Sequence, residues 1–302
     1  MALPAHTSLF GRTAHYAYLA FCGLVLLFLI APILVIIPLS FNAAPYFTFS
    51  SEMLQLKPSA FSLRWYLDII ENGMNDPGAP FGWRYLLDSW NNAQWIHSLK
   101  NSFVIAVATT FLSMLLGTLA ALGLTSPNMP ARGLVMSALI SPMIVPLVIT
   151  SAGMYFVFST LGLTGTFAGL VIAHTVLGTP FVLITVAATL ESFDRNLIRA
   201  GLSLGASPLR VFFKVIVPLI LPGVISGGVF AFATSFDEVV TVIFLADYDQ
   251  RTVPRQMWAG IREQISPTIL AMATILVLLS LGLLTAVEML RRRSDRMRGV
   301  AA

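Results

Sequence analysis

Arg199–Pro218 reads RAGLSLGASPLRVFFKVIVP, a basic stretch punctuated by glycine and proline between two long apolar runs. Its reading decides the fold. As Gly201-Leu-Ser-Leu-Gly205 it fits the G-x-S-x-G pattern of serine hydrolases. As a plain connection it joins two spans. As a helix–glycine–helix it offers a surface to a partner.

The rest of the chain narrows these choices. Of 302 residues, 57% are hydrophobic and 11% charged, about half the charge of an average soluble domain. That composition belongs to a membrane protein. The single cysteine, Cys22, lies in an apolar run and has no partner for an intrachain disulfide. His6, His15, His97 and His174 are scattered, without the spacing of a metal site.

A spanning helix needs about 20 mostly apolar residues. Six stretches meet that demand: 16–41, 102–124, 134–158, 167–190, 219–245 and 268–290. The first is longer than the apolar core of a signal peptide and reads as a retained anchor. With a cytoplasmic N-terminus, the inner segments carry Arg12, Arg132, Arg195, Arg199, Arg210, Lys214, Arg291, Arg292, Arg293, Arg296 and Arg298. The short outer loops carry only Arg251, Arg255 and Arg262. This asymmetry orients both termini to the cytoplasm.

The expected organisation is an N-terminal tail at 1–15, a membrane domain at 16–290, a cytoplasmic loop at 191–218 and a basic tail at 291–302. In the outer segments, FSLRWYLDII, FGWRYLLDSW and VPRQMWAGIREQISP have the spacing of short amphipathic helices. In the last of these Met257, Trp258, Ile261 and Ile265 share a face, and an anchor helix and a gate or partner-contact element both remain open.

The hydrolase reading of the opening stretch fails on chemistry. A nucleophile elbow needs a strand before the serine and a histidine after it, and no histidine follows His174. Asp194 is placed to cap a short helix that ends at Gly205, with Phe193, Leu197, Ala200, Gly201 and Leu204 on one apolar, small-residue stripe. Ser207 followed by Pro208 starts a second helix, with Arg210 and Lys214 outward and Val211, Phe212 and Val215 inward. A mere connection could be far shorter, so the segment reads as a docking surface.

These residues carry a resemblance. Gly205, then nine residues, then Val215-x-Val217-Pro218 resembles the EAA loop of ABC-importer permeases. Two positions depart from that pattern: Arg199 stands where a glutamate is usual, and Gly201 where the second alanine is usual. FSLRWYLDI, NSFVIAVATTFLSMLLGTLAALGL, AHTVLGTPFV, SFDEVVTVIFLA and RTVPRQMWAGIREQISPTILAMATILV extend the similarity to the spermidine/putrescine permease group, in particular to its second permease subunit.

The resemblance implies an all-α membrane protein with the six-helix type I ABC importer permease fold, in the bacterial inner membrane. It implies a non-enzymatic subunit, with Arg199, Ala200, Gly201, Leu204, Gly205, Ala206, Ser207, Pro208 and Pro218 in the loop that couples to an ATPase. The implied partners are a second homologous permease, two copies of the ATPase and a periplasmic substrate-binding protein. No G-x-x-x-x-G-K-[ST] loop occurs in this chain, so ATP and its Mg²⁺ are expected on the ATPase.

For the substrate pathway, Asp237 and Glu238 stand about 19 residues beyond Pro218, roughly 28 Å along a helix. Ionisable residues inside a span point to function. Two readings stand: a cation-attracting entry, or pairing with Arg251 or Arg255 at the headgroups. Phe232 and Phe236 share a face of the fifth span, and Tyr155 and Phe158 end the third; aromatic faces suit ammonium groups. Thr150, Ser151, His174 and Thr175 are candidate polar lining or helix–helix bonds. The expected cargo is a polyamine or related small cation. Alternatives are an opine or iron carried by the same kind of permease, or ion-coupled secondary transport.

Overall fold

The computed structural model describes residues 9–126, 128–191, 194, 196–263 and 266–297. Among them the regular structure is helical: α1 (Leu9–Leu39), α2 (Ser51–Leu54), α3 (Arg64–Glu71), α4 (Trp83–Asn92), α5 (Gln94–Leu124), α6 (Arg132–Ile144), α7 (Leu147–Thr160), α8 (Phe167–Glu191), α9 (Asn196–Ser203), α10 (Pro208–Val211), α11 (Val217–Asp237), α12 (Val240–Leu245), α13 (Val253–Glu263) and α14 (Thr268–Met297). The chain divides into two compact units, Met1–Pro77 with Gly260–Ala302, and Gly78–Ala259.

In the first unit α1 is apolar on every side, and none of its most hydrophobic 18-residue window is buried. Such a helix is stable only where lipid or other apolar groups replace water around it. The segment after it is built on Asn42, which is almost fully buried. Its amide donates to the carbonyls of Tyr46 (3.2 Å) and Thr48 (2.9 Å) and accepts from the Ala44 N–H (3.0 Å). Trp65 of α3 donates its indole N–H to the Asn42 carbonyl at 2.6 Å. Thr268, at the start of α14, donates its hydroxyl to Asp68 of α3 at 2.5 Å. The amphipathic stretch FSLRWYLDII therefore buries Trp65 and Ile69 within the protein.

The second unit is organised around α5, α8 and α11. Val182, Leu183 and Val186 of α8 are fully enclosed by Ala121 and Leu124 of α5 and by Ile220 and Ala231 of α11. The helices approach closely because the contact positions are small. Gly223 and Gly227 of α11 face α8. A Cβ on Gly227 would lie 2.6 Å from Val182 Cα and collide with Thr185 Oγ1, and one on Gly223 would lie 3.0 Å from the Thr185 carbonyl and collide with Thr189 Oγ1. This is a G-x-x-x-G contact within an apolar span, where van der Waals packing of bare backbone replaces the hydrophobic effect.

Among the described residues four helices are long and apolar enough to cross a membrane: Phe10–Leu39, Gln94–Leu124, Phe167–Glu191 and Pro208–Asp237. The stretch 134–158 is not one straight helix. α6 and α7 meet at 103° and count as a fifth span only as a bent pair. The cause is local: Val145 precedes Pro146, so steric conflict with the ring drives it to extended geometry (ψ 135°). The stretch 219–245 is also interrupted, at Glu238 (φ −72°, ψ 122°), between α11 and α12. No proline or glycine marks that break. In α14 the described apolar stretch begins at Thr268 and runs through Gly282.

Gly227→Ala should overpack the α8–α11 contact and destabilise the detergent-solubilised protein by about 1–3 kcal/mol. Gly123→Ala, whose Cβ meets nothing within 4 Å, should leave the melting temperature unchanged. Thermal unfolding of the two variants side by side tests the contact.

Candidate functional site

The loop that opened the sequence reading folds from standard local rules. Asp194 accepts the Asn196 N–H at 2.9 Å and its carbonyl accepts the Leu197 N–H at 3.1 Å, which starts α9. The helix stops at a Schellman turn: Ala206 N–H bonds the Gly201 carbonyl (3.2 Å) and Gly205 N–H bonds the Leu202 carbonyl (3.0 Å). That turn requires Gly205 at φ +82°, a region costly for any residue with a Cβ. Ser207 Oγ then accepts the Arg210 N–H at 3.4 Å and Pro208 is the first residue of α10. A π-helical turn, Phe212–Ile216, carries the chain into α11.

Gly201 lets α9 close on α10. A Cβ there would sit 3.1 Å from a Val211 methyl, and Val211 is buried. The other side of the loop is open: Leu197, Leu202, Leu204, Leu209 and Phe213 expose apolar surface, Leu204 to 88%. Arg199, Ala200, Ser207, Pro208 and Pro218 are exposed and Ala206 is half-buried. Arg210 and Lys214 are also exposed, so the apolar knob has a basic border. Phe193 and Arg195 lie outside the described residues.

The pathway candidates separate into different environments. Phe232 and Phe236 stack at 5.6 Å with an interplanar angle of 18°. Phe103 of α5, which the sequence reading did not single out, meets Phe232 edge-on at 6.3 Å. Asp237 ends α11 exposed to the surroundings, whereas Glu238 is buried, 8% exposed. Tyr155 is exposed and lies edge-on to Phe156. Phe158 is instead packed with Ile105, Leu170, Ala173, Val242 and Leu245, so it lines no open surface.

Two of the polar candidates bridge helices. His174 Nδ1 of α8 lies 2.8 Å from Ser235 Oγ of α11, and Ser151 Oγ of α7 lies 3.0 Å from Thr241 Oγ1 of α12. Thr150 and Thr175 bond back to carbonyls of Pro146 and Val171. The arginines offered as partners for the carboxylates are engaged elsewhere. Arg255 donates to the carbonyls of Ala246 and Asp247, and Arg251 donates to Gln256 and lies over Tyr248. Burial, with Arg251 adding repulsion, lowers the Arg255 pKa from its usual value, and Asp247 acts the other way.

A bent helix pair, small-residue helix packing and a capped loop with an apolar knob characterise this membrane protein. Residues 113–296 match the family described as the binding-protein-dependent transport system inner membrane component. The chain belongs to that family, whose members are non-enzymatic permease subunits of ABC transporters. It is 28% identical over 236 residues to the Spermidine/putrescine transport system permease protein PotC of Escherichia coli K12, covering 76% of this chain and 89% of that one. With the Putrescine transport system permease protein PotI of the same strain it shares 28% identity over 257 residues, 83% of this chain and 82% of the relative. A bacterial ABC transporter involved in the import of the acidic polysaccharide alginate superposes with a TM-score of 0.69 over 94% of this chain and 99% of that one, at 15% identity. That likeness concerns the fold.

Gly205→Ala places a Cβ in left-handed geometry at a cost of about 1–2 kcal/mol. Hydrogen exchange at the amides of Gly205 and Ala206, which close the turn, should accelerate about tenfold. Gly153→Ala, in open space on α7, should leave those amides unchanged.

Proposed function

We propose that this permease forms half of the translocation pathway of an ATP-driven importer for polyamines or a related small cation. Its kinship with the spermidine/putrescine and putrescine permeases carries that reading. The exposed Asp237 that ends α11, one residue after the stacked pair Phe232 and Phe236, supports it. A carboxylate and π faces are the groups an organic ammonium ion seeks.

The chain sits in the bacterial inner membrane with six spans and both termini in the cytoplasm. The bent α6–α7 pair, the broken α11–α12 pair and α14 each count as one crossing. It pairs with a second permease, an ATPase dimer that holds ATP and Mg²⁺, and a periplasmic binding protein. The α9–α10 knob, Arg199 to Pro218, seats in the ATPase. ATP binding closes the ATPase dimer and pulls the knob, and the spans open outward to take the cargo. Each conformation is favoured by the ligand that contacts it better. At Arg199 the ATPase is expected to present an acidic or neutral group rather than the base that suits a glutamate.

Reconstitution of the complete transporter in proteoliposomes tests this reading. Spermidine or putrescine uptake should require the binding protein, the ATPase and internal ATP. Uptake that follows an ion gradient without the ATPase would overturn the coupling assignment. ATPase stimulation by the binding protein loaded with a non-cationic solute, and by no polyamine, would overturn the substrate assignment.

A further inference from the structure

The break between α11 and α12 poses a physical problem. The chain leaves α11 through extended geometry at Glu238 and starts a new six-residue helix at Val240. A new helix start exposes backbone N–H groups with no intrahelical acceptor. Inside a membrane protein such groups must be satisfied by the protein itself. The residue at the cap position is Val239, which has no side-chain acceptor and makes no capping hydrogen bond.

Glu238 fills that role from one residue earlier. Its Oε1 accepts the Thr241 N–H at 2.7 Å. Thr241 is also the point where α12 meets α7: its hydroxyl pairs with Ser151, and both residues are fully buried. Further along α12, Val242 and Leu245 pack with Phe158, Leu170 and Ala173. On the other side of the break, Ser235 ties the last turn of α11 to His174 of α8. Asp237 thus lies between two fixed points, His174–Ser235 before it and Glu238–Thr241–Ser151 after it, and it is exposed.

We propose that Glu238 is a positioning residue: its carboxylate caps the half-helix α12, locks it to α7 through Thr241 and Ser151, and so holds Asp237 at the break where the pathway passes. The two adjacent acids divide their labour by environment. One is used up by backbone, and the other remains available to cargo. The role given to Asp237 rests on the cation-import reading above; the cap and the α7–α12 lock do not.

The test reads the lock and transport separately in the assembled transporter. With Cys22→Ser as background, Ser151→Cys and Thr241→Cys place two thiols across α7 and α12, and mild oxidation reports their proximity without any substrate. Cross-linking should be as fast with Glu238→Gln, which keeps an acceptor oxygen, as with Glu238, and about tenfold slower with Glu238→Leu, which removes the cap. In permeases with Ser151 and Thr241 intact, Glu238→Gln should rescue the spermidine uptake rate that Glu238→Leu loses, with KM within about twofold of the parent. Asp237→Asn should raise KM about tenfold and leave cross-linking untouched.

Unaltered cross-linking in Glu238→Leu would overturn the cap. A rise in KM for Glu238→Gln equal to that of Asp237→Asn, with cross-linking intact, would overturn the division of labour by showing that cargo feels the Glu238 charge. Should Glu238→Leu fail to assemble, Glu238→Gln alone decides, because slowed cross-linking or a raised KM there sinks the proposal. If no polyamine is carried by the parent transporter, the cation reading falls, while cross-linking still decides whether the Glu238 cap holds α12 against α7.

Discussion

The second unit depends on the approach of α11 to α8 along Gly223 and Gly227. At Gly227 the two backbones are so near that a methyl group would lie 2.6 Å from Val182 Cα. In lipid, apolar side chains gain little by leaving a solvent as apolar as themselves, so helices associate where shape permits dense contact. Glycine provides that shape, and the threonines opposite, Thr185 and Thr189, turn their hydroxyls to their own helix carbonyls. The Val182–Leu183–Val186 cluster, the His174–Ser235 bond and the orientation of the α11 C-terminus all follow from that contact. A shift of α11 would displace the π-helical turn and the loop at one end and Asp237 at the other.

This arrangement links the ends of α11 mechanically. At one end Gly205, Ser207 and the π-helical turn deliver an exposed apolar knob directly into the helix. At the other end the helix stops between Asp237 and Glu238. Packed helices with glycine contacts transmit displacement because interiors are dense and leave no slack. The fold therefore suits a subunit that does no covalent chemistry but moves one region when another is pulled.

Several parts of the site were legible residue by residue. Ser207-Pro208 reads as a helix start because a hydroxyl acceptor and a fixed φ are local properties. Gly205 reads as a stop because left-handed geometry excludes a Cβ. The kink before Pro146 is likewise written in the ring. The interruption at Glu238 was not legible: Phe236-Asp-Glu-Val-Val240 contains neither proline nor glycine, and its apolar flanks look like one continuous span. The break is maintained by a carboxylate accepting a backbone N–H and by a hydroxyl pair 90 residues apart in the chain. The Gly223–Gly227 contact escaped for a related reason, since the spacing is visible but the helix it fits is not.

Composition and charge asymmetry by themselves determined a membrane chain of apolar helices with a basic, capped loop, because burial in lipid and local backbone sterics act on each segment without reference to its neighbours. Tertiary structure alone decided which helices touch, where spans bend or break, and how two adjacent acids came to differ. Asp237 and Glu238 are neighbours in sequence with the same charge. The chain turns between them, so Glu238 meets a buried N–H while Asp237 is left exposed. Such a difference depends on distant residues converging, which no local pattern encodes.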